Sequence, residues 1–236
     1  MSRRTGCWIH DFRGHQLVAA TASGTGGPFV IADTSAAGAP TVVGLDGGGI
    51  RMLLASTTEV ENLCLYFGDK LSFDIDDIIR FWAIVKTVAT LDSATQIAFG
   101  LASARNDAID SIGEAALFRA IANNSIVAET DDGTNNNDDV ATGLTLGATW
   151  KRFEINFAER VSTMEPPSLS VGRPSNIGFY GANDNGSLRR VASGTRFDMS
   201  NYSSGLQPFF QIQKTSDANT DNLDILQVGV EFNLPQ

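Results

Sequence analysis

The stretch Gly44 to Arg51, read as Gly44-Leu45-Asp46-Gly47-Gly48-Gly49-Ile50-Arg51, offers backbone N–H groups that glycine leaves free to approach a substrate. Such a loop can stabilise the oxyanion of an acyl-transfer intermediate. The chemistry also needs a nucleophile elbow, Gly-x-Ser-x-Gly, and no serine of the chain has glycine at both flanking positions; Ser168-Leu169-Ser170-Val171-Gly172 lacks the first glycine. The glycines are therefore read as a turn. A second chemistry, retaining glycoside hydrolysis, uses carboxylates at alternate strand positions, which point into one cleft. Asp74 and Asp76 have that spacing, but Ile79 stands where the acid/base is required, and Glu59 and Glu61 lack a third acid. The only histidines are His10 and His15, so the body of the chain has no imidazole base. These gaps predict a protein that is not an enzyme.

Two further features suit binding. Asp131 to Asp139 is an oxygen-rich stretch read as a loop able to hold Ca²⁺; its single glycine is third rather than sixth and its acids do not alternate, which excludes an EF-hand. No cofactor is expected. Trp82, Trp150, Tyr180 and Tyr202 are candidates for a sugar-stacking platform, and Trp150 is in phase with Arg152 and Glu154, opposite the apolar Phe153 face.

Charge narrows the partners. With 17 Lys+Arg against 27 Asp+Glu the net charge is -10, and the basic residues are scattered, so a phosphate backbone meets a repulsive field. The first 32 residues differ, holding Arg3, Arg4 and Arg13 against Asp11 alone. Cys7 and Cys64 are too few for a disulfide framework and lack zinc-site spacing; Cys64, inside Leu63-Cys64-Leu65-Tyr66-Phe67, reads as an inert core thiol. No run of 18 apolar residues occurs, and the first ten residues lack a continuous apolar signal core, which predicts a soluble, non-exported chain.

These residues need a scaffold, and the scaffold is written in a period of two. Residues 1–58, rich in Gly, Ala, Ser and Thr, read as an extended N-terminal arm with short strands at Phe29–Ile31, Thr41–Val43 and Ile50–Leu54. Residues 59–236 read as a β-sandwich domain. Phe153, Ile155 and Phe157 alternate with Arg152, Glu154 and Asn156; Ile97, Phe99 and Leu101 share a face; Leu226, Val228, Val230 and Phe232 share another, with a bulge expected near Ile225-Leu226 because Leu223 and Ile225 are in the opposite phase. Further strands are expected at residues 80–88, 125–130, 176–180, 189–192 and 208–214. Asn185-Gly186 suits a tight hairpin turn. The stretch from Asp110 to Ile121 contains helix-forming alanines, yet residues 115–121 also fit a strand pairing with 126–129 across Asn123-Asn124, and strand is the reading taken. The fold class is all-β, an antiparallel β-sandwich.

From Leu63 to Phe232 the order of these strand texts resembles the concanavalin-like or jelly-roll proteins of tailed-bacteriophage structural gene clusters. The stretches that carry it are residues 81–85, 97–102, 127–133, 149–155, 208–215 and 223–228. The resemblance implies a head decoration, or cement, protein: a structural virion component that binds the outer capsid surface, has the major capsid protein as partner, and commonly forms a homotrimer made in the host cytoplasm. In that setting Arg3, Arg4, Trp8, Ile9 and Arg13 are the residues expected to anchor the arm to the shell or a sister subunit. The alternative on the same fold is a carbohydrate-binding module or tail-associated adhesin. Neither reading involves nucleic acid or a membrane.

Overall fold

The structure, a computed structural model, describes residues 5–12, 23–26, 28–70, 72–158, 174–182, 187–215 and 217–234. Within them the strands in chain order are β1 (Thr5–Asp11), β2 (Ser23–Gly26), β3 (Phe29–Asp33), β4 (Thr41–Gly44), β5 (Ile50–Leu53), β6 (Glu61–Tyr66), β7 (Phe73–Asp74), β8 (Ile78–Thr87) and β9 (Thr95–Ala102). They continue as β10 (Glu114–Ile121), β11 (Ser125–Asp132), β12 (Asn136–Thr145), β13 (Lys151–Asn156), β14 (Gly178–Gly181), β15 (Arg189–Val191), β16 (Gly205–Lys214) and β17 (Asn222–Asn233). Two antiparallel sheets result. One runs β15-β14-β13-β8-β17-β5-β4, with β1 also on β17; the other runs β12-β11-β10-β9-β16-β6-β3-β2, with β7 also on β16.

The sandwich follows from the alternation. In β13, Phe153 and Ile155 are buried while Arg152 and Glu154 are half-exposed. Phe81, Phe153 and Phe179 of the first sheet meet Phe99, Phe118 and Phe210 of the second; Phe118 lies 5.0 Å from both Phe153 and Phe179, and Phe99 lies 5.1 Å from Phe153. Each ring buried this way is worth roughly 2–3 kcal/mol, and the tilted geometries add to it. The bulge falls where the phase changes: between Ile225 and Gln227 the register of β17 on β8 shifts by one. Gly229 is required by what lies over it, since a Cβ there would stand 2.2 Å from the Trp82 ring.

Several expectations are met and some are replaced. The Ala-rich stretch 115–121 is a strand, with Ala120 opposite Ile126, and β14 pairs antiparallel with β15, while the turn expected at Asn185-Gly186 falls outside the described residues. Residues read as an extended arm enter both sheets. β1 pairs with β17 from Thr5↔Asn233 to Asp11↔Gln227, β2 and β3 extend the second sheet beyond β6, and β4 and β5 extend the first beyond β17. Small residues there reflect close sheet packing as well as turns. The Asp131 to Asp139 stretch is not a loop: Asp131 and Asp132 end β11, the turn is only residues 133–135, and Asn136 to Asp139 begin β12. Polar side chains hid this strand because its outer edge has no partner among the described residues and few of its positions are buried.

Candidate functional site

The outer faces of the two sheets differ in what covers them. On the nine-stranded sheet, Cys64, Ala98, Ala102, Ala115, Leu117 and Phe209 form a second apolar layer, and the segment 103–113 folds across it to insert Ile109 and Ile112. Side chains of the sheet hold that segment by its backbone: Asn62 Nδ2 donates to the Asp107 carbonyl at 2.7 Å, Gln211 Nε2 donates to the same oxygen at 3.3 Å, and Gln213 Oε1 accepts from the Ile109 amide at 3.3 Å. Burial raises the Cys64 thiol pKa well above its ordinary value, as befits an inert core thiol.

At the rim of this covered face one cation serves four acids. The Arg119 guanidinium, its side chain only 4% exposed, contacts Asp110 from the covering segment, Glu129 of β11 at 2.5 Å, and Asp139 and Asp138 of β12 at 3.6 and 3.9 Å. Burial pushes the Glu129 pKa up to about 8; Arg119 pulls it down, but Asp138 and Asp139 repel its negative form and burial prevails. Carboxylate oxygens of Glu129, Asp138 and Asp139 lie within 4.8 Å of one another. Their positive partner is already present in Arg119. The neighbouring cavity, under Ile109 and Ile112, is only about 40 Å³.

On the eight-stranded sheet the described residues leave the outer face uncovered except at one end. Register sets Lys86, Asp224 and Arg51 in a row across β8, β17 and β5. Trp150 precedes Lys151, the partner of Val85, and so stands beside Lys86. The Lys86 ammonium lies 4.7 Å from the Trp150 ring centroid. The turn between β4 and β5 closes the other side: Leu45 N donates to Gly49 O, Gly48 N donates to Leu45 O, and Gly47, Gly48 and Gly49 have φ of 85°, 102° and 101°. Gly49 sits against the β17 bulge, where a Cβ would meet the Ile225 carbonyl at 2.9 Å. Together Leu45, Asp46, Gly47, Gly48, Lys86, Trp150 and Leu226 line a cleft of about 240 Å³. The indole, 37% exposed, is an apolar wall, and Lys86, Asp46 and the turn backbone are the polar part of the lining.

The aromatic candidates do not assemble into one platform. Trp82 is 5% exposed beneath Arg80 and Arg152, and Tyr202 packs on the core while its hydroxyl donates to the Gly205 carbonyl. Tyr180, half-buried on β14, lies opposite Glu154 and Arg190, and Trp150 lines the cleft. Of the expected anchors, Arg3, Arg4 and Arg13 lie outside the described residues. Trp8 turns inward, 5.1 Å from Phe67, and Ile9 on the opposite face is 52% exposed. Asp74 caps its own turn by accepting from the Asp76 amide, and Glu61 is fully buried with Lys214. Asp132 is also committed: burial would raise its pKa, but the Asn135, Asn201 and Thr134 amides hold it below the ordinary value. Sequence alone did not single out Lys86, Arg51 or Asp224. Their signal was parity, since Lys86 shares a strand face with Arg80 and Trp82.

No protein-family model matches the sequence, and no curated protein matches it in sequence. Solved structures do match in shape. The Emp47p carbohydrate recognition domain superposes with a TM-score of 0.56 at 12% identity, over 95% of this chain and 94% of its own. Bacillus licheniformis β-glucanase gives 0.58 at 8% identity over 98% and 99%. Peanut lectin gives 0.57 at 10% identity over 99% of both chains. The fold is the concanavalin-like sandwich of lectins and glucanases.

Proposed function

We propose that this domain binds carbohydrate in the cleft beside Trp150, holding its ligand without turning it over. The observation that carries the reading is the cleft itself: an exposed indole beside a cation, a carboxylate and the backbone of the 45–48 turn, in a volume of about 240 Å³. A sugar ring has apolar C–H faces and polar edges, so it stacks on an aromatic wall while directed donors and acceptors take its hydroxyls. The architecture shared with the Emp47p carbohydrate recognition domain supports the reading. An immobilised glycan panel, followed by calorimetry on the hits, is the test. Trp150→Ala is expected to weaken binding at least tenfold at an unchanged melting midpoint; a panel that stays blank, or hits indifferent to Trp150→Ala, would sink the proposal.

For a role on a virion surface, with the major capsid protein as partner and the chain as a homotrimer, the contact to test is Ile9, exposed in the middle of a strand paired only with β17 among the described residues. Deleting residues 1–40 would remove β1, β2 and β3 from the sandwich. Ile9→Asp is the cleaner test, expected to abolish binding to capsids; retained binding would count against this role.

A further inference from the structure

We infer that the Trp150 cleft selects saccharides bearing an acidic oxyanion, a carboxylate or a sulfate ester, and that Lys86 is the residue that recognises it. The inference rests on the glycan-binding reading above and adds the ligand's charge class.

The argument starts from how the charges in the row are shared. Asp224 is fully buried, and its oxygens are already taken: Oδ1 accepts from Arg51 Nε at 2.7 Å and from Asn222 Nδ2 at 2.8 Å, while Oδ2 accepts from the other arm of the Arg51 fork at 2.8 Å. A two-pronged guanidinium pair of this kind satisfies a carboxylate geometrically and electrically. Lys86 comes third. Its Nζ is 3.7 Å from Asp224 Oδ2, outside hydrogen-bond reach, and it has no hydrogen-bond acceptor among the described residues. The row of two cations and one anion therefore keeps one positive charge to spare, and that charge sits where the cleft opens.

Lys86 is also held in place. Its side chain is 26% exposed and its ammonium is held between the Trp150 ring and Asp224 at the cleft lining, with little rotamer freedom left to lose and donor capacity left for a ligand. In the free protein water takes those donors. A ligand hydroxyl replaces that water with a comparable bond, whereas an acidic oxygen replaces it with a charge-assisted one roughly twice as strong. Asp46, exposed on the turn opposite, fixes the orientation: the acid group is repelled from that side and directed to Lys86, and Asp46 accepts from a hydroxyl. The chain's net charge of -10 slows an anion's approach, but it is screened beyond about 8 Å at physiological salt, whereas the Lys86 contact is not.

Calorimetric titration of the full chain with matched neutral, uronic-acid and sulfated methyl glycosides of the gluco, galacto and manno series decides the matter. At least one acidic member is expected to bind about tenfold tighter than its neutral counterpart, and whether that member is the uronate or the sulfate names the oxyanion. Lys86→Met and Lys86→Gln are both expected to erase the difference, so that within each variant the acidic and neutral members bind with the same affinity. Equal affinities in the parent, or a preference that survives both substitutions, overturn the inference and leave glycan binding standing. Absence of any Trp150-dependent binding across all series overturns both.

Discussion

The two outer faces of the sandwich are built from the same alternation yet end in opposite states. Across the nine-stranded sheet the outward positions combine small and apolar residues with the amides Asn62, Gln211 and Gln213, and the chain lays its own segment 103–113 over them. Across the eight-stranded sheet they are charged or aromatic and pair among themselves, Arg80 with Glu231 and Glu154, and Arg51 with Asp224, so that face needs no cover. A face that buries apolar area supports stability and is closed to ligands by its own lid. A face whose charges pair with one another is left open by the described residues, and Lys86, which has no hydrogen-bond acceptor among them, becomes a place to bind. Arg119 and Lys86 show this in miniature: four carboxylates enclose Arg119, whereas Lys86 borders an open cleft.

Breaking the covered face should have the largest effect. Ile109→Asp puts a carboxylate where the side chain is 2% exposed, and is expected to cost on the order of 3 kcal/mol in denaturant unfolding. It should also lift the segment from Cys64. The parent has one thiol open to a modifying reagent, Cys7, and the variant should have two; an unreactive Cys64 with unchanged stability would show that the segment is not a seal. A smaller effect isolates the acid cluster. Because the folded-state pKa of Glu129 is raised to about 8 from an ordinary 4.5, folding favours its neutral form. The stability this residue allows is complete below about pH 4.5 and is lost as pH rises through 8. Glu129→Gln should therefore match the parent near pH 4.5 and exceed it by roughly 1–3 kcal/mol at pH 8–9; a difference that does not grow with pH would contradict the burial of an acid there.

Most of the sandwich could be read from period two. β8, β9, β13, β16 and β17 announce themselves because each turns a run of alternate apolar residues inward, and the β17 bulge is visible as a change of phase at Ile225-Leu226. β12 is not legible, because an edge strand with solvent on one side can afford Asn and Asp. The placement of β1 to β5 was obscured for a related reason: short strands rich in glycine carry little periodicity, and their partners lie in β6 and β17, far along the chain. For the site, exposure of Trp150 followed from its phase and the glycine run was correctly a turn. That the turn would seat on the β17 bulge and face Trp150 depends on pairing across about 175 residues, which no local pattern encodes.

The central claim is that ligand enters the bare face beside Trp150 and not the covered one. The chain has three tryptophans, and Trp8 and Trp82 are packed against other side chains, so three indole N–H signals in a nitrogen-15 correlation spectrum report the two environments separately. Titration with a saccharide hit should move the Trp150 indole and the Asp46 to Gly48 amides, leaving the amides of residues 105–112 and the Glu129 region still. Shifts confined to residues 105–112 and Glu129, with Trp150 silent, would contradict the account.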